Sequence, residues 1–518
     1  MRRNRRRLRR VATTSRNPAG GRPDRDLAKQ ERGAARRDEL AHRRATAARY
    51  RRLGTRRGQR RKLAGRILYD TRPPPLELST GHLEAIYPFQ VASRPAGDGG
   101  GMVIGPSATG GMFTFDPWVR YAQGRLANPN ILVVGDVGSG KSSLVKTLVW
   151  RGLEFGRGAQ IIDPKGEYGP LADAAGTVPI DLHPGGGVVL NPLDPGTAGR
   201  ALAPTELFHR NLATLRALLE AVLGRGCRQL ELVLAAASLA RVAGLDLGDL
   251  DDDLTVARRG QTVTLPTLAD ALINPDTAVA DRLNMDPAAV VDESRELALA
   301  AARLVDPHGD LGGMFAGPTT LDVDRLDALT VVDIRHIYRH HRPLLPLVMI
   351  AVAAWLQLAT ETHGRGRFQV NDEAWALLSD EASARWLQAN TKLSRALSLS
   401  VVNVLHRLSD TAAAGNADTT TRALAEGVIA DAGTWIIYRQ KPGEQPLLRD
   451  VLQLNSLQSR LSTRLGRGRA LWVVNGEQRT THLVDHLLAP AERALVDTDS
   501  EMRTALDNLA DEDEQVRA

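Results

Sequence analysis

The segment Gly135-Asp136-Val137-Gly138-Ser139-Gly140-Lys141-Ser142 leaves this chain few architectures to fold into. It satisfies G-x-x-x-x-G-K-[ST] at every fixed position, with the apolar run Ile131 to Val134 before it and the helix-prone run Ser142 to Trp150 after it. A strand that enters a glycine-rich turn and leaves as a helix directs backbone N–H groups and a helix N-terminus at one point, which attracts an anion. Gly135 through Ser142, together with Ser143, are therefore read as the cradle of a nucleotide's phosphates. Lys141 is expected to neutralise the β- and γ-phosphates, and the Ser142 hydroxyl to hold Mg²⁺.

A phosphate loop of this kind needs an acidic partner at the end of a neighbouring strand. Asp372-Glu373 follows Phe368-Gln369-Val370-Asn371 and precedes Ala374-Trp375-Ala376, a helix-compatible run. Asp372 is expected to hold the Mg²⁺ through water, and Glu373 to orient and deprotonate the attacking water. Taken alone, the pair also reads as an acidic first turn favoured by a helix dipole. His406 closes the apolar run Ser400 to Leu405. Two roles stay open for it, a γ-phosphate sensor at the sheet's carboxyl edge or a hydrogen-bonded strand-end histidine. Lys392 and Arg395 precede that run; Arg395 is the candidate arginine finger, with a solvated helix charge as the bland alternative.

From Ile131 onward, short β-prone runs (ILVVG, AQIID, TVVDI, FQV, LSVVNVLH, TWIIY, ALWVV) alternate with helical stretches. That rhythm predicts an α/β fold with a parallel sheet, a RecA-like P-loop NTPase core over 129–197 and 326–500. Residues 198–325 break the rhythm and read as an all-α insertion. Residues 67–128 read as a small β-rich segment punctuated by glycine, and 501–518 as an acidic tail.

Charge divides the chain unevenly. Residues 1–66 hold 25 Lys/Arg against 5 Asp/Glu, a net of +20, while the whole chain of 518 residues carries +7, so the rest sums to −13. The stretch 1–66 is therefore expected to be a disordered basic tail, either a solvated extension or an electrostatic anchor for DNA or anionic lipid. The single cysteine, Cys227, excludes an internal disulfide. The longest apolar run, Pro343 to Leu356, contains two prolines and falls short of the about 20 residues a membrane span needs. With no apolar segment behind the N-terminal arginines to suggest a secretory signal, the expected location is the cytoplasm, or the inner face of the plasma membrane as a peripheral protein.

Taken in order along the chain, these blocks resemble a known family. Pro88-Phe89, Gly105 to Trp118, Asn128-Pro129-Asn130, Asp163-Pro164-Lys165-Gly166-Glu167-Tyr168, Asn191-Pro192-Leu193, Asp372 to Trp375 and Gly468 to Trp472 are similar to the motor half of the TraC/TrbE-like ATPases of type IV secretion and conjugation, within the HerA–FtsK superfamily. The resemblance spans about residues 84–500. It implies a hexameric ring, a helical insertion, and Mg-ATP hydrolysis that energises a secretion or conjugative DNA transfer apparatus through inner-membrane channel components. It also implies that Glu167 lies near the nucleotide. The chain departs from the family in two respects: only about 60 residues separate the basic tail from the motor, where relatives carry a long N-terminal domain, and His406 stands where glutamine is usual. Two other functions remain open, a DNA translocase of the FtsK, HerA or coupling-protein type that grips DNA through 1–66 or a ring pore, and a scaffold gated by bound ATP.

Overall fold

In a computed structural model, the described residues run from 100 to 496, apart from Thr109, 196–202, 246–262, Asp276, 322–327, 362–365, Asp380, 395–397 and 410–418. All of them belong to the second of the chain's two compact units, Tyr69–Ala518. The expected tails at 1–66 and 501–518, Pro88-Phe89 and Arg395 lie outside the described residues.

Nine strands form one sheet in the order β11-β10-β9-β3-β8-β7-β4-β6-β5. Seven of them pair in parallel: β3 (Ile131–Val134), β4 (Gly158–Asp163), β5 (Ile180–Asp181), β6 (Leu329–Asp333), β7 (Arg367–Asn371), β8 (Leu399–Leu405) and β9 (Thr434–Ile437). Every residue of β3, β4, β6, β7, β8 and β9 is buried, which is why these strands do not alternate between apolar and polar residues and most read as largely apolar runs. Successive side chains still point to opposite faces. Ile131 and Val133 pack in one apolar cluster with the helix α1 (Lys141–Glu154), while Leu132 and Val134 join a second cluster on the other side.

The second cluster is built largely by helices. α2 (Pro204–Leu223), α3 (Gln229–Ala243), α4 (Leu265–Ile273) and α5 (Pro287–Val305) fall between β5 and β6 in the chain. They share that cluster with α6 (Leu345–Glu361), whose Trp355 is fully buried. The run from Pro343 that resembles a short hydrophobic span is thus core helix. Among the described residues no helix is long and apolar enough to cross a membrane.

The expected parallel sheet forms, with an antiparallel edge added to it. β10 (Arg469–Val474) runs antiparallel to β9, and β11 (Thr480–Asp485) runs antiparallel to β10. The turn 475–479 joining the last two is too short for the crossover that a parallel return requires, a dozen residues or more. Ahead of the sheet, the hairpin β1 (Met102–Pro106) and β2 (Met112–Phe115) leans on this edge. Ser107 bridges to Val484, and the Leu487 N–H donates to the Ile104 carbonyl at 2.9 Å. At Gly105 a side chain would run into the Asp485 carbonyl, so the hairpin's approach requires glycine.

Two polar pairs explain why Phe368-Gln369-Val370-Asn371 forms a central strand despite its composition. Gln160 Nε2 donates to Gln369 Oε1 at 3.5 Å, and Asn371 Nδ2 donates to Asn403 Oδ1 at 2.8 Å, both across neighbouring strands. Each pair gives a buried amide a partner across the sheet and so lowers the cost of burial, although Asn371 Oδ1 has no partner among the described residues.

Candidate active site

Strand order brings the carboxyl ends of β3, β8, β7 and β4 side by side, the crevice where open parallel sheets take ligands. The loop after β3 has the backbone that phosphate binding needs. Gly138 and Gly140 have φ of +72° and +110°, so side chains there would be strained. The residue at Gly135 must also be small, since a Cβ there would strike Tyr438. The loop is pinned from several directions: the Asp136 N–H donates to the Arg439 carbonyl at 2.8 Å, Ser139 Oγ to the Asp136 carbonyl at 2.6 Å, and the Gly468 N–H to the Ser139 carbonyl at 3.0 Å. The last contact places the Gly468 to Trp472 block beside the phosphate loop.

Lys141 folds back over this loop. Its Nζ donates to the Gly135 carbonyl at 2.5 Å and the Asp136 carbonyl at 3.1 Å. Burial pulls its ammonium down to about 8, against the opposing attraction of Asp372. Ser142 is half-buried on the first turn of α1, and Val137 is exposed. Ser143 Oγ instead donates to the Val496 carbonyl at 3.4 Å.

Asp372 and Glu373 follow β7 and are both buried. Burial pushes the Asp372 carboxyl up to about 6, and its Oδ2 is a buried acceptor without a hydrogen-bond partner among the described residues. Glu373 sits in the left-handed region at φ +56°. Its Oε1 takes an ion pair from Lys165 and a hydrogen bond from His406 Nε2 at 2.8 Å, and Trp375 Nε1 donates to its Oε2. Burial alone would raise the Glu373 carboxyl; His406 and Lys165 outweigh it and hold the group at about 2. Non-glycine residues in such backbone conformations persist where surroundings fix them, and here three side chains do so.

The turn after β4 supplies Lys165. The Asp163 carboxylate accepts the N–H groups of Lys165, Gly166 and Tyr168 at 3.2, 2.8 and 2.9 Å. Glu167 is held up first by burial and then by Asp372, so it shares the field of this cluster. A divalent cation fits the donor set: one orphaned carboxylate oxygen on Asp372, and the Ser142 hydroxyl on the first turn of α1.

Residues 124–214, which include the loop, match the family model "Helicase HerA, central domain". VirB4 of Thermoanaerobacter pseudethanolicus aligns with 77% of this chain and 100% of its own, at 22% identity and a TM-score of 0.60. The fold is that of VirB4. Weaker similarity extends to the conjugative coupling protein TrwB. Its unbound form aligns at 15% identity and TM-score 0.46, covering 79% of this chain and 91% of that one. Its complex with ADP and Mg²⁺ aligns at 14% and 0.47, covering 79% and 92%. No curated protein matches the sequence.

In this VirB4-like fold the candidates read from the sequence converge only in part. Lys141, Asp372, Glu373 and His406 share one site, and Glu167 borders it. Lys392 is exposed on the helix α7 (Glu381–Leu393). Lys165 and Trp375 join them by contacting Glu373, although neither carried a separate signal beyond its motif block. Their roles emerge only when β4, β7 and β8 lie together.

Proposed function

We propose that the chain is a P-loop ATPase that hydrolyses Mg-ATP to drive a type IV secretion or conjugative transfer machine. One observation carries this reading: Lys141, the orphaned Asp372 Oδ2 and the ionised Glu373 meet at the carboxyl ends of β3 and β7, the two strands that flank β8. Lys141 would exchange its carbonyl contacts for the β- and γ-phosphates. Asp372 and Ser142 would hold Mg²⁺, which supplies charge neutralisation between the phosphate oxygens. Glu373, ionised and oriented by His406, would position the attacking water and draw its proton as the γ-phosphoryl departs. Gly135 through Ser143 form the phosphate cradle. Hexamer formation, docking to inner-membrane channel components and a peripheral location at the inner face of the plasma membrane are what the sequence resemblance implies, and they belong to the same proposal.

The +20 charge of residues 1–66 favours a second reading, direct translocation of DNA. ATP turnover by the purified full chain with Mg²⁺, with and without DNA over a range of salt, tests both. Turnover indifferent to DNA supports the secretion ATPase, salt-sensitive stimulation supports the translocase, and no turnover in either condition refutes both.

A further inference from the structure

Lys165 lies in a turn whose geometry is fixed from several sides. Asp163 collects three backbone N–H groups, and Gly166 has φ of +74°. A Cβ at Gly166 would collide with the Arg335 guanidinium, which is itself paired with Asp333. The turn therefore delivers the Lys165 ammonium to Glu373 by design of the backbone rather than by chance of a long side chain.

The pairing poses a chemical problem for a hydrolase. Glu373 is the carboxylate proposed to act on water, yet an ammonium occupies the same oxygen that His406 touches. A water-activating carboxylate capped by a lysine is a poor base, so the pair has to open before hydrolysis. His406 stays hydrogen-bonded to Glu373 at 2.8 Å and can keep the carboxylate in place when the lysine leaves. A competing anion close to Lys165 can draw it away, and a terminal phosphate is an anion this site would admit.

We propose that Lys165 is a positioning residue that responds to the γ-phosphate: it caps Glu373 in the nucleotide-free chain and transfers its ammonium to the terminal phosphate of a bound nucleoside triphosphate, uncapping the base. ADP, lacking that group, leaves the cap closed. The inference rests on the ATPase reading above and extends it by giving the second lysine of the site a task distinct from that of Lys141.

The test compares the affinities of the full chain for a non-hydrolysable ATP analogue and for ADP, both with Mg²⁺, in the wild type and in Lys165→Met and Lys165→Arg. Loss of one charge-assisted hydrogen bond predicts that Lys165→Met weakens the triphosphate by about tenfold or more while ADP stays within about twofold, with Lys165→Arg recovering most of the difference. Equal losses for both nucleotides would make Lys165 a structural brace of the turn, and unchanged affinities would leave it outside the site; either result overturns the proposal. Should Lys165→Met fail to fold, Glu373→Gln decides. Releasing the lysine from its partner predicts severalfold tighter analogue binding with ADP unchanged, and parallel changes in both contradict it. A wild-type chain that binds neither nucleotide would instead refute the ATPase reading itself.

Discussion

His406 and Glu373 meet across the ends of β8 and β7, with the imidazole Nε2 2.8 Å from the carboxylate Oε1. The contact belongs to adjacent parallel strands whose registers align Asn371 with Asn403, so the residues just beyond them are neighbours by construction. The contact is that of a hydrogen-bonded strand-end histidine, and the proposed mechanism has His406 orient the carboxylate through it.

Replacing His406 with alanine leaves Glu373 held by Lys165 and Trp375 alone. Turnover should fall by about tenfold through loss of alignment, with nucleotide affinity within about twofold of wild type. Steady-state kinetics alongside a binding titration separates the two effects, and equal loss of both would place His406 in nucleotide binding instead.

Lys141 occupies its buried position at an energetic cost, since burial lowers its ammonium to about 8. A Lys141→Met chain should therefore melt at or above the wild-type temperature without nucleotide, and show none of the stabilisation that Mg-ATP gives the wild type. Thermal melts with and without nucleotide check both halves.

The Asn371–Asn403 pair is a stability element. Asn403→Val strands the Asn371 amide in the sheet and should cost about 1–3 kcal/mol, whereas the double change to valine should recover part of that loss. Urea denaturation of Asn371→Val, Asn403→Val and the double variant closes the cycle.

Acid should weaken the fold through His486. Burial first, and then Arg151, lower its imidazole to about 4 from the ordinary 6.5. Between those values the unfolded chain binds more protons, so stability declines as pH falls from 6.5 toward 4. Glu492 adds to the decline at the acid end: burial would raise its carboxyl, but Arg151 holds it low, and that stabilisation disappears as the group protonates. His486→Gln should flatten the pH dependence of urea stability across the window; an unchanged slope would assign it to other groups.

Much of the site was legible because its chemistry is tied to local spacing. Gly135 to Ser142 need only their own order to make an anion cradle, and Asp372-Glu373 need only a strand before them. Lys165 and Trp375 were not legible in the same sense. Where Lys165 points depends on the Asp163 turn, and what it meets depends on β4 lying beside β7, a pairing between strands distant in sequence. Gln369 and Asn371 are polar interruptions of a buried strand, and their partners, Gln160 and Asn403, sit on other strands, where sequence order does not show them. Among the strands, β5 has two residues, too few to show a period, and the antiparallel β10–β11 edge follows from a short turn rather than from the apolar pattern.

Turnover of Mg-ATP by the Glu373→Gln chain bears most directly on the proposal that this carboxylate activates the attacking water. The expected result is retained ATP binding with turnover reduced by about 100-fold or more, the usual scale for loss of a general base. Binding retained with turnover unchanged would contradict hydrolysis by this site.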